Sequence, residues 1–530
     1  MNNVVLIGFM GTGKTTVGRI LAEKLGRPFV DLDEVIVQQA GRPVPEIFAA
    51  DGERGFRARE CEALKRTLAG EGQVLAVGGG APMAADNWRM LRDRNSVIAL
   101  VANPDTLRQR LKDGAGRPML EGGVEAALTT LLPPRMARYE QADLVVPIDG
   151  TAPAAVATLI KQAAPEGGLY RIPVGIPNAE HEITLGYGLA HCVPPALRRA
   201  GVRGAVVVVT DDGAGLNHAP LLEAAIAQAG FRLGRHVLPR GERAKSVEPL
   251  TQLYEFLAAQ GVDRQGGLVA LGGGAVGDVA GFAAATWLRG VPYVQVPTTL
   301  LAMVDSSIGG KTAINVAAGK NLVGAVHEPS AVITDLTYLE TLPAGEFRSG
   351  WAEIIKTAII GDASLFDLLR AERTALMARD ATLFPDVVAR TCAFKAQVVA
   401  EDPREAGRRA ILNYGHTVGH ALEAAAGYGR IMHGDAVAWG MKVAARLSLR
   451  LGLTNARTVA TQDQLLAEYG LLGPLPEVSR AQLLAALHHD KKAKDGEPHW
   501  VLLRELGRVE YGCQVPAADV EAVLDEVLAG

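Results

Sequence analysis

Gly8-Phe9-Met10-Gly11-Thr12-Gly13-Lys14-Thr15 follows the short apolar run Val4–Ile7 and leads into Thr15–Leu25, where apolar residues recur at helical spacing. This is a complete G-x-x-x-x-G-K-[ST] pattern in a strand–loop–helix setting. The glycines let backbone N–H groups turn inward onto phosphate oxygens, and the helix N-terminus adds positive potential. Lys14 is placed to reach the β- and γ-phosphates and the Thr15 hydroxyl to ligate Mg²⁺; Gly11, Gly13 and Thr16 complete the cradle. The expected ligand is a nucleoside triphosphate with magnesium.

Outward from this loop, Val74–Val77 and Ser96–Val101 read as further buried strands. Alternation of such strands with helices favours a parallel α/β sheet. The alanine-rich stretch 154–164, with Pro153 at its start, reads as the last helix of a first unit, residues 1–165. A turn-rich linker follows at 166–169. Strand candidates Ala205–Val209, Gly267–Leu271 and Tyr293–Val296 mark a second α/β region, 170–335. From there to residue 530 helical patterns dominate, with one late strand candidate near Trp500–Leu503.

Composition sets limits on function. The chain has 530 residues, 48% apolar and 21% charged, with net charge −4. Up to Pro165 there are 20 basic and 19 acidic residues, and 34 and 39 thereafter. Neither part is a polycation, so phosphate-backbone binding to nucleic acid is not expected. No apolar run approaches the roughly 18–20 residues that span a bilayer. The start has no basic region ahead of an apolar one, and the four cysteines form no Cys-x-x-Cys pair. The expectation is a cytoplasmic protein without a disulfide framework.

Several polar residues of the first unit suit a small anionic acceptor. Asp31 and Asp33 follow the strand candidate Pro28–Val30 at a spacing that predicts one shared face. One carboxylate would serve the magnesium, and the other would accept a hydroxyl proton. Phe56-Arg57, Gly78-Gly79-Gly80, Arg117-Pro118 and Arg135-x-x-x-Tyr139 add guanidinium groups and bare backbone. In order and approximate spacing, these segments together resemble shikimate kinase across nearly all of residues 1–165. The resemblance implies shikimate contacts from Asp33, Arg57, Gly79, Gly80 and Arg135. It also implies Arg117 as the lid arginine on ATP, and Thr15 with Asp31 at the magnesium. Lys14, Asp33 and Arg117 would be the catalytic set. After Asp149 there is no arginine at the distance where that family carries another nucleotide-binding one.

In the second unit, Gly272-Gly273-Gly274-Ala275-Val276-Gly277-Asp278 follows an apolar strand and runs into the helical pattern Val279–Ala285. Such glycines let a pyrophosphate approach the backbone at a helix N-terminus. Glu353, His416, His420 and His433 suit zinc, with a position left for substrate oxygen. Spacing alone makes His416 and His420, an i,i+4 pair, joint ligands. Lys311, Lys320, Lys356, Lys395 and Arg409 lie within glycine-rich or apolar segments and suit a phosphorylated or carboxylated substrate.

Residues 170–530 resemble 3-dehydroquinate synthase. The match rests on Gly-Gly-Gly-Ala-Val-Gly-Asp (272–278), Pro-Thr-Thr-Leu-Leu (297–301), Val-Asp-Ser-Ser-Ile-Gly-Gly-Lys-Thr (304–312), Gly-Lys-Asn (319–321), Ala-Glu-Ile-Ile-Lys (352–356) and Asn-Tyr-Gly-His-Thr-Val-Gly-His (413–420). The resemblance implies a divalent metal, zinc or alternatively cobalt, on Glu353, His416 and His433, and moves His420 to proton relay. It implies NAD contacts from Glu242, Lys245, Gly274, Val276, Gly277, Asp278, Thr298, Thr299 and Thr341, with Lys311 and Lys320. Substrate contacts would come from Arg289, Asp305, Lys311, Lys320, Asn321, Lys356, Lys395, Arg409 and Asn413, and from Lys491 or Lys492. Asp305, Lys311 and Glu405 would take part in catalysis, Glu405 as an acid/base. Arg240 stands where many relatives carry aspartate.

The fold implied is a P-loop kinase parallel sheet, then a Rossmann-like NAD-binding α/β domain, then a mostly α-helical metal-binding domain. The function implied is a shikimate-pathway fusion. One part would phosphorylate shikimate with ATP, and the other would convert 3-deoxy-D-arabino-heptulosonate 7-phosphate to 3-dehydroquinate and phosphate. A homodimer through the synthase part is implied as well. Two other readings differ in kind. A zinc-dependent polyol dehydrogenase would share the architecture without needing so many cationic groups, and a nucleotide-binding regulatory module would not need Asp33.

Overall fold

The structure is a computed structural model that describes residues 3–93, 95–112, 123–163, 169–427, 429–488 and 499–529. In the first unit the apolar runs become β1 (Val4–Gly8), β2 (Phe29–Asp31), β3 (Val74–Ala76), β4 (Ser96–Val101) and β5 (Leu144–Pro147). They form a sheet in the order β2-β3-β1-β4-β5, parallel throughout. Along β1, Val5 and Ile7 enter one core while Val4 and Leu6 enter another on the opposite face. Helices cover both faces, which is why β1 has no polar alternation.

The second unit contains β6 (Tyr170–Val174), β7 (His181–Gly186), β8 (Ala205–Asp211), β9 (Arg232–Leu238), β10 (Gly267–Gly272), β11 (Tyr293–Pro297), the hairpin of β12 (Lys311–Val316) with β13 (Gly319–Val326), and β14 (Ala331–Asp335). Seven of these form a sheet in the order β6-β7-β14-β11-β10-β8-β9. Only β6 runs antiparallel to its neighbour. The helix after β10 is Gly274–Thr286; it begins five residues before the predicted Val279, because the glycine turn itself enters the helix.

The remainder is helical, as the alanine and leucine patterning predicts. Its principal helices are Ala344–Gly361, Leu383–Glu401, His416–Ala426 and His433–Arg450. The single late strand expected near Trp500 is one arm of a hairpin, β15 (Trp500–Glu505) with β16 (Arg508–Cys513). The second arm, Arg508–Cys513, alternates polar with apolar residues and lies largely at the surface. A continuous core joins sheet and helices, running from Val206 and Val294 to Trp351, Val399 and Tyr414.

Two close approaches decide where the helices sit. A Cβ on Gly440 would lie 1.8 Å from the Gly415 carbonyl oxygen, and one on Gly434 would lie 2.0 Å from that of Ser349. Without side chains at these points the helices 344–361, 416–426 and 433–450 meet closely. Each carries one of Glu353, His416 and His433.

Candidate active sites

The loop between β1 and the Lys14–Leu25 helix takes the left-handed backbone its glycines permit, φ +83° at Gly11 and +82° at Gly13. Lys14 Nζ donates to the carbonyl oxygens of Gly8 and Phe9, at 2.9 and 3.1 Å. Thr15 Oγ1 donates to Asp31 Oδ2 at 2.8 Å, linking the two residues expected at the magnesium. Thr16 is exposed in the first turn.

Asp31 and Asp33 do not share a strand face. Asp31 closes β2 and caps the Leu32–Ala40 helix, its Oδ1 accepting from Asp33 N at 3.1 Å; Asp33 lies in the first helical turn. The capping carboxylate turns the chain out of the strand after one residue. Burial, then Asp31, holds the Asp33 carboxyl above its ordinary range, against Lys14 and Arg57.

The acceptor residues gather around the bare backbone of Gly78–Gly80. A Cβ on Gly78 would meet Glu60 Oε1 and Asp33 Oδ1, one on Gly79 would meet Arg135 and Tyr139, and one on Gly80 would lie 2.5 Å from the Arg57 guanidinium. Tyr139 Oη donates to the Gly79 carbonyl at 2.7 Å. Arg57 pairs with the fully buried Glu60 at 2.7 Å. Carboxylate, guanidinium groups and a phosphate loop thus converge from five segments. Arg117 lies outside the described residues.

In the second unit a cavity of about 1130 Å³ opens at the C-terminal ends of the parallel strands, where ligands of open α/β sheets bind. Gly274, Val276, Asp278, Thr298, Thr299, Glu242, Lys245, Lys320 and Thr341 line it. Gly277 instead faces inward, where a Cβ would meet Gln295 Oε1 at 2.8 Å. Lys245 pairs with Asp278 and donates to Asn321 Oδ1 at 2.5 Å. Arg240, also on the lining, pairs with Asp212 at 3.0 Å.

A smaller cavity of about 510 Å³ continues from it, lined by Asp305, Lys311, Asn321, Lys356, Lys395, Glu405, Arg409, Asn413 and His416. Lys356, Lys395 and Arg409 are buried. Each is held by a carboxylate or carbonyl: Lys356 by Glu353, Lys395 by Asp305 at 2.5 Å, and Arg409 by the Gly309 carbonyl at 3.1 Å. Lys311 pairs with Glu405, whose other oxygen accepts from Asn413 at 2.7 Å. Burial opposes the charge on Asp305, but Lys395 outweighs it and lowers the pKa.

Where the cavities meet, Glu353 Oε1 is buried and has no hydrogen-bond partner among the described residues. His416 Nε2 lies 3.6 Å from it and His433 Nε2 3.7 Å. The three ligand atoms lie within 4.8 Å of one another, and His420, Glu423 and His433 form a second such set. Neither set contains both His416 and His420, so the i,i+4 pair does not act as joint ligands here. An orphaned carboxylate oxygen facing two imidazole nitrogens fits a divalent cation of zinc type. Burial opposes the charge on Glu353, but Lys356 and His433 bring its pKa down to about 2. His433 is raised to about 10 against burial by Glu353 and Glu423.

The profile of the 3-dehydroquinate synthase N-terminal family matches residues 235–349, and that of its C-terminal family matches 350–493. The 3-dehydroquinate synthase of Synechococcus sp. is 43% identical over 362 residues, covering 67% of this chain and 98% of the relative. That of Rhodospirillum rubrum is 45% identical over 353 residues, 64% and 92% of the two chains. The chain belongs to the 3-dehydroquinate synthase family.

Ahead of this synthase unit, the shikimate kinase profile matches residues 10–164, so the chain is a fusion of the two. It unites a kinase with a phosphate-eliminating lyase. Among solved structures, the synthase unit is similar to 2-epi-5-epi-valiolone synthase from Streptomyces hygroscopicus subsp. jinggangensis with NAD⁺ and Zn²⁺ bound. Identity is 28% and TM-score 0.61, over 66% of this chain and 97% of that one. A 2-deoxy-scyllo-inosose synthase complexed with carbaglucose-6-phosphate, NAD⁺ and Co²⁺ is likewise 28% identical at TM-score 0.61, over 68% and 99%.

Arg289 touches neither cavity lining of the synthase unit. It is exposed, at φ +68°, beyond the far end of the Gly274–Thr286 helix; thirteen residues put it roughly 20 Å from the glycine turn. Lys491 and Lys492 lie outside the described residues. Three residues escaped the sequence reading. Arg110 of the kinase unit donates to the Gly11 carbonyl at 3.2 Å, and Glu60 supports Arg57. In the synthase unit Glu423 backs His433. A basic residue in the helix before the Arg117 lid, and an acid three residues after His420, were the available signals.

Proposed function

We propose that the kinase unit transfers the γ-phosphoryl group of magnesium-bound ATP to the 3-hydroxyl of shikimate. We further propose that the synthase unit, with NAD and a divalent cation, zinc or cobalt, converts 3-deoxy-D-arabino-heptulosonate 7-phosphate to 3-dehydroquinate and phosphate. One observation carries the second reading: the orphaned Glu353 oxygen faces two imidazoles between a glycine-lined helix N-terminus and three buried cations.

In the kinase unit, Lys14 and the loop amides hold the phosphates, and Thr15 with Asp31 holds the magnesium. Asp33 takes the hydroxyl proton. Arg57, Arg135 and the Gly79-Gly80 backbone seat the acceptor carboxylate and ring, and Arg117 covers the nucleotide. In the synthase unit, Glu353, His416 and His433 would hold the cation. When bound, NAD⁺ and the cation supply transient oxidation of a secondary alcohol and stabilisation of charge on its oxygen. Lys356, Lys395, Arg409 and Asn413 bind the substrate's carboxylate and phosphate. Lys245, Glu242 and Thr341 seat the dinucleotide, and His420, Asp305 and Glu405 move protons.

The reading extends to a homodimer through the synthase unit and to action in the cytoplasm. Among the described residues no helix is long and apolar enough to cross a membrane. Purified protein should release phosphate from the heptulosonate phosphate in a chelator-sensitive manner, and should form ADP from ATP only with shikimate. Net NADH production without phosphate release would favour a polyol dehydrogenase, and absence of both reactions in metal-loaded protein would refute the proposal.

A further inference from the structure

Arg171 belongs to β6 of the synthase unit, yet among the described residues its four side-chain hydrogen bonds all go to the kinase unit. Nε and a terminal nitrogen clasp the Asp143 carboxylate, while the other terminal nitrogen donates to the carbonyls of Arg92 and Asn95, at 2.7 and 2.6 Å. The pair is buried, with 8% of the Arg171 side chain and 3% of that of Asp143 exposed. Around it, Arg92 reaches Glu182 at 2.9 Å, Arg198 reaches Glu140 at 2.9 Å, and Arg199 donates to the Ala142 carbonyl at 3.5 Å. The kinase unit contributes carbonyls, Asp143, Glu140 and Arg92 to this contact, and the synthase unit answers with Arg171, Arg198, Arg199 and Glu182.

Two of the kinase segments that meet at the acceptor site run on to Arg171. The Ala85–Arg92 helix follows Gly79-Gly80 and is tied back to it by Asn87 Nδ2, which donates to the Ala81 carbonyl at 3.1 Å. Its last carbonyl, that of Arg92, is one that Arg171 holds. The Leu132–Tyr139 helix bears Arg135 and Tyr139. Its exit is an unbroken strap: Glu140 N bonds Met136 O, Ala142 N bonds Tyr139 O, and Asp143 both donates to and accepts from Val97. One guanidinium therefore joins the far ends of two of the segments that meet at the acceptor site. A planar fork with several fixed donors suits this task, and a lysine would not reproduce it.

We infer that the synthase unit is a structural part of the kinase site, with Arg171 a positioning residue that fixes the separation of the 79–92 and 132–143 segments and thereby the affinity for the acceptor. The inference rests on the kinase reading for the identity of the acceptor but not for the lock itself. The phosphate loop touches these segments at Gly8, whose carbonyl faces Gly79, and at Phe9, whose ring lies under Arg135, so nucleotide affinity should shift less than acceptor affinity.

The test uses the full chain. In Arg171→Gln, amide hydrogen exchange should accelerate about tenfold in both segments and less in residues 4–25. The KM for shikimate should rise about three- to thirtyfold, more than that for ATP, and Arg171→Lys should recover only part of the loss. Unchanged exchange in both segments, with synthase turnover intact, overturns the inference. If Arg171→Gln does not fold, the half-exposed Arg198→Ala decides: faster exchange confined to 132–143 supports the lock, and none refutes it. A wild-type chain that does not phosphorylate shikimate would refute the acceptor assignment, and the exchange result would still decide the lock.

Discussion

Glu423 Oε2 stands 3.4 Å from Nδ1 of His433, on the edge of the ring opposite the one that faces Glu353. A carboxylate on Nδ1 places the proton there and turns Nε2 toward the cation position. His416 is oriented the same way more weakly, by the Tyr414 carbonyl 3.4 Å from its Nδ1. Outer partners of this kind tune metal affinity. Glu423→Gln should weaken zinc binding about 10- to 100-fold, read by competition with a chelating dye, with NAD affinity unchanged. Equal zinc affinity would show that His433 is oriented by packing alone.

Asp33→Asn should lower shikimate phosphorylation about 10²–10⁴-fold, with ATP binding and synthase turnover preserved. Because burial and Asp31 raise this carboxyl, the acid limb of the kinase kcat/KM profile should lie above the ordinary aspartate range near about 3.9. The base is required ionised, so activity falls as pH drops through the raised value. A wild-type limb at the ordinary value would remove Asp33 from the role of base.

Gly440→Ala forces the helices 416–426 and 433–450 apart at the 1.8 Å approach to Gly415. Overpacking of this kind costs about 1–3 kcal/mol. The damage should appear as lost zinc stoichiometry in protein that retains ATP binding, since the phosphate loop shares no element with the crossing. Full zinc loading would mean that the crossing is not what brings His416 and His433 together.

Glu328 is pushed up to about 7 by burial, against Arg409. Its carboxyl is therefore neutral in the folded chain at pH values where the unfolded chain has it ionised. The stability it contributes is fully present below about pH 4.5 and is lost as pH rises through 7. Between pH 5 and 8 the wild-type chain should lose about 2 kcal/mol at this group, discounted for partial exposure. Glu328→Gln should not. The difference between wild-type and variant denaturation midpoints, measured at both pH values, checks this.

Local spacing made much of the molecule legible. The phosphate loop needs eight consecutive residues and a strand before it, and β1 and the Lys14–Leu25 helix follow as read. The buried parallel strands announce themselves as apolar runs because both faces are covered. What failed were inferences that carried a local period past its element. Asp31 and Asp33 look like one strand face, but capping ends the strand between them. His416 and His420 share a helix face, yet their partners arrive from other helices.

The residues overlooked have partners distant in sequence. Arg110 is 99 positions from Gly11, and Arg171 is 76 from Asn95. Nothing near Arg171 in the chain marks it out; it reads as an ordinary charged residue on an edge strand.

By itself the order of residues determined that one stretch would cradle phosphates and another would admit a pyrophosphate, because those sites are built from contiguous backbone. It also determined that acids, imidazoles and cations for two chemistries were present. Only the tertiary structure decided which imidazoles face Glu353, which lysines lose contact with water, and that an arginine of one unit would grip the other. The imidazole placement depends on helix crossings so close that a Cβ on Gly440 or Gly434 would lie 1.8 or 2.0 Å from a facing carbonyl oxygen, and all of these contacts are set by packing between segments that no local pattern relates.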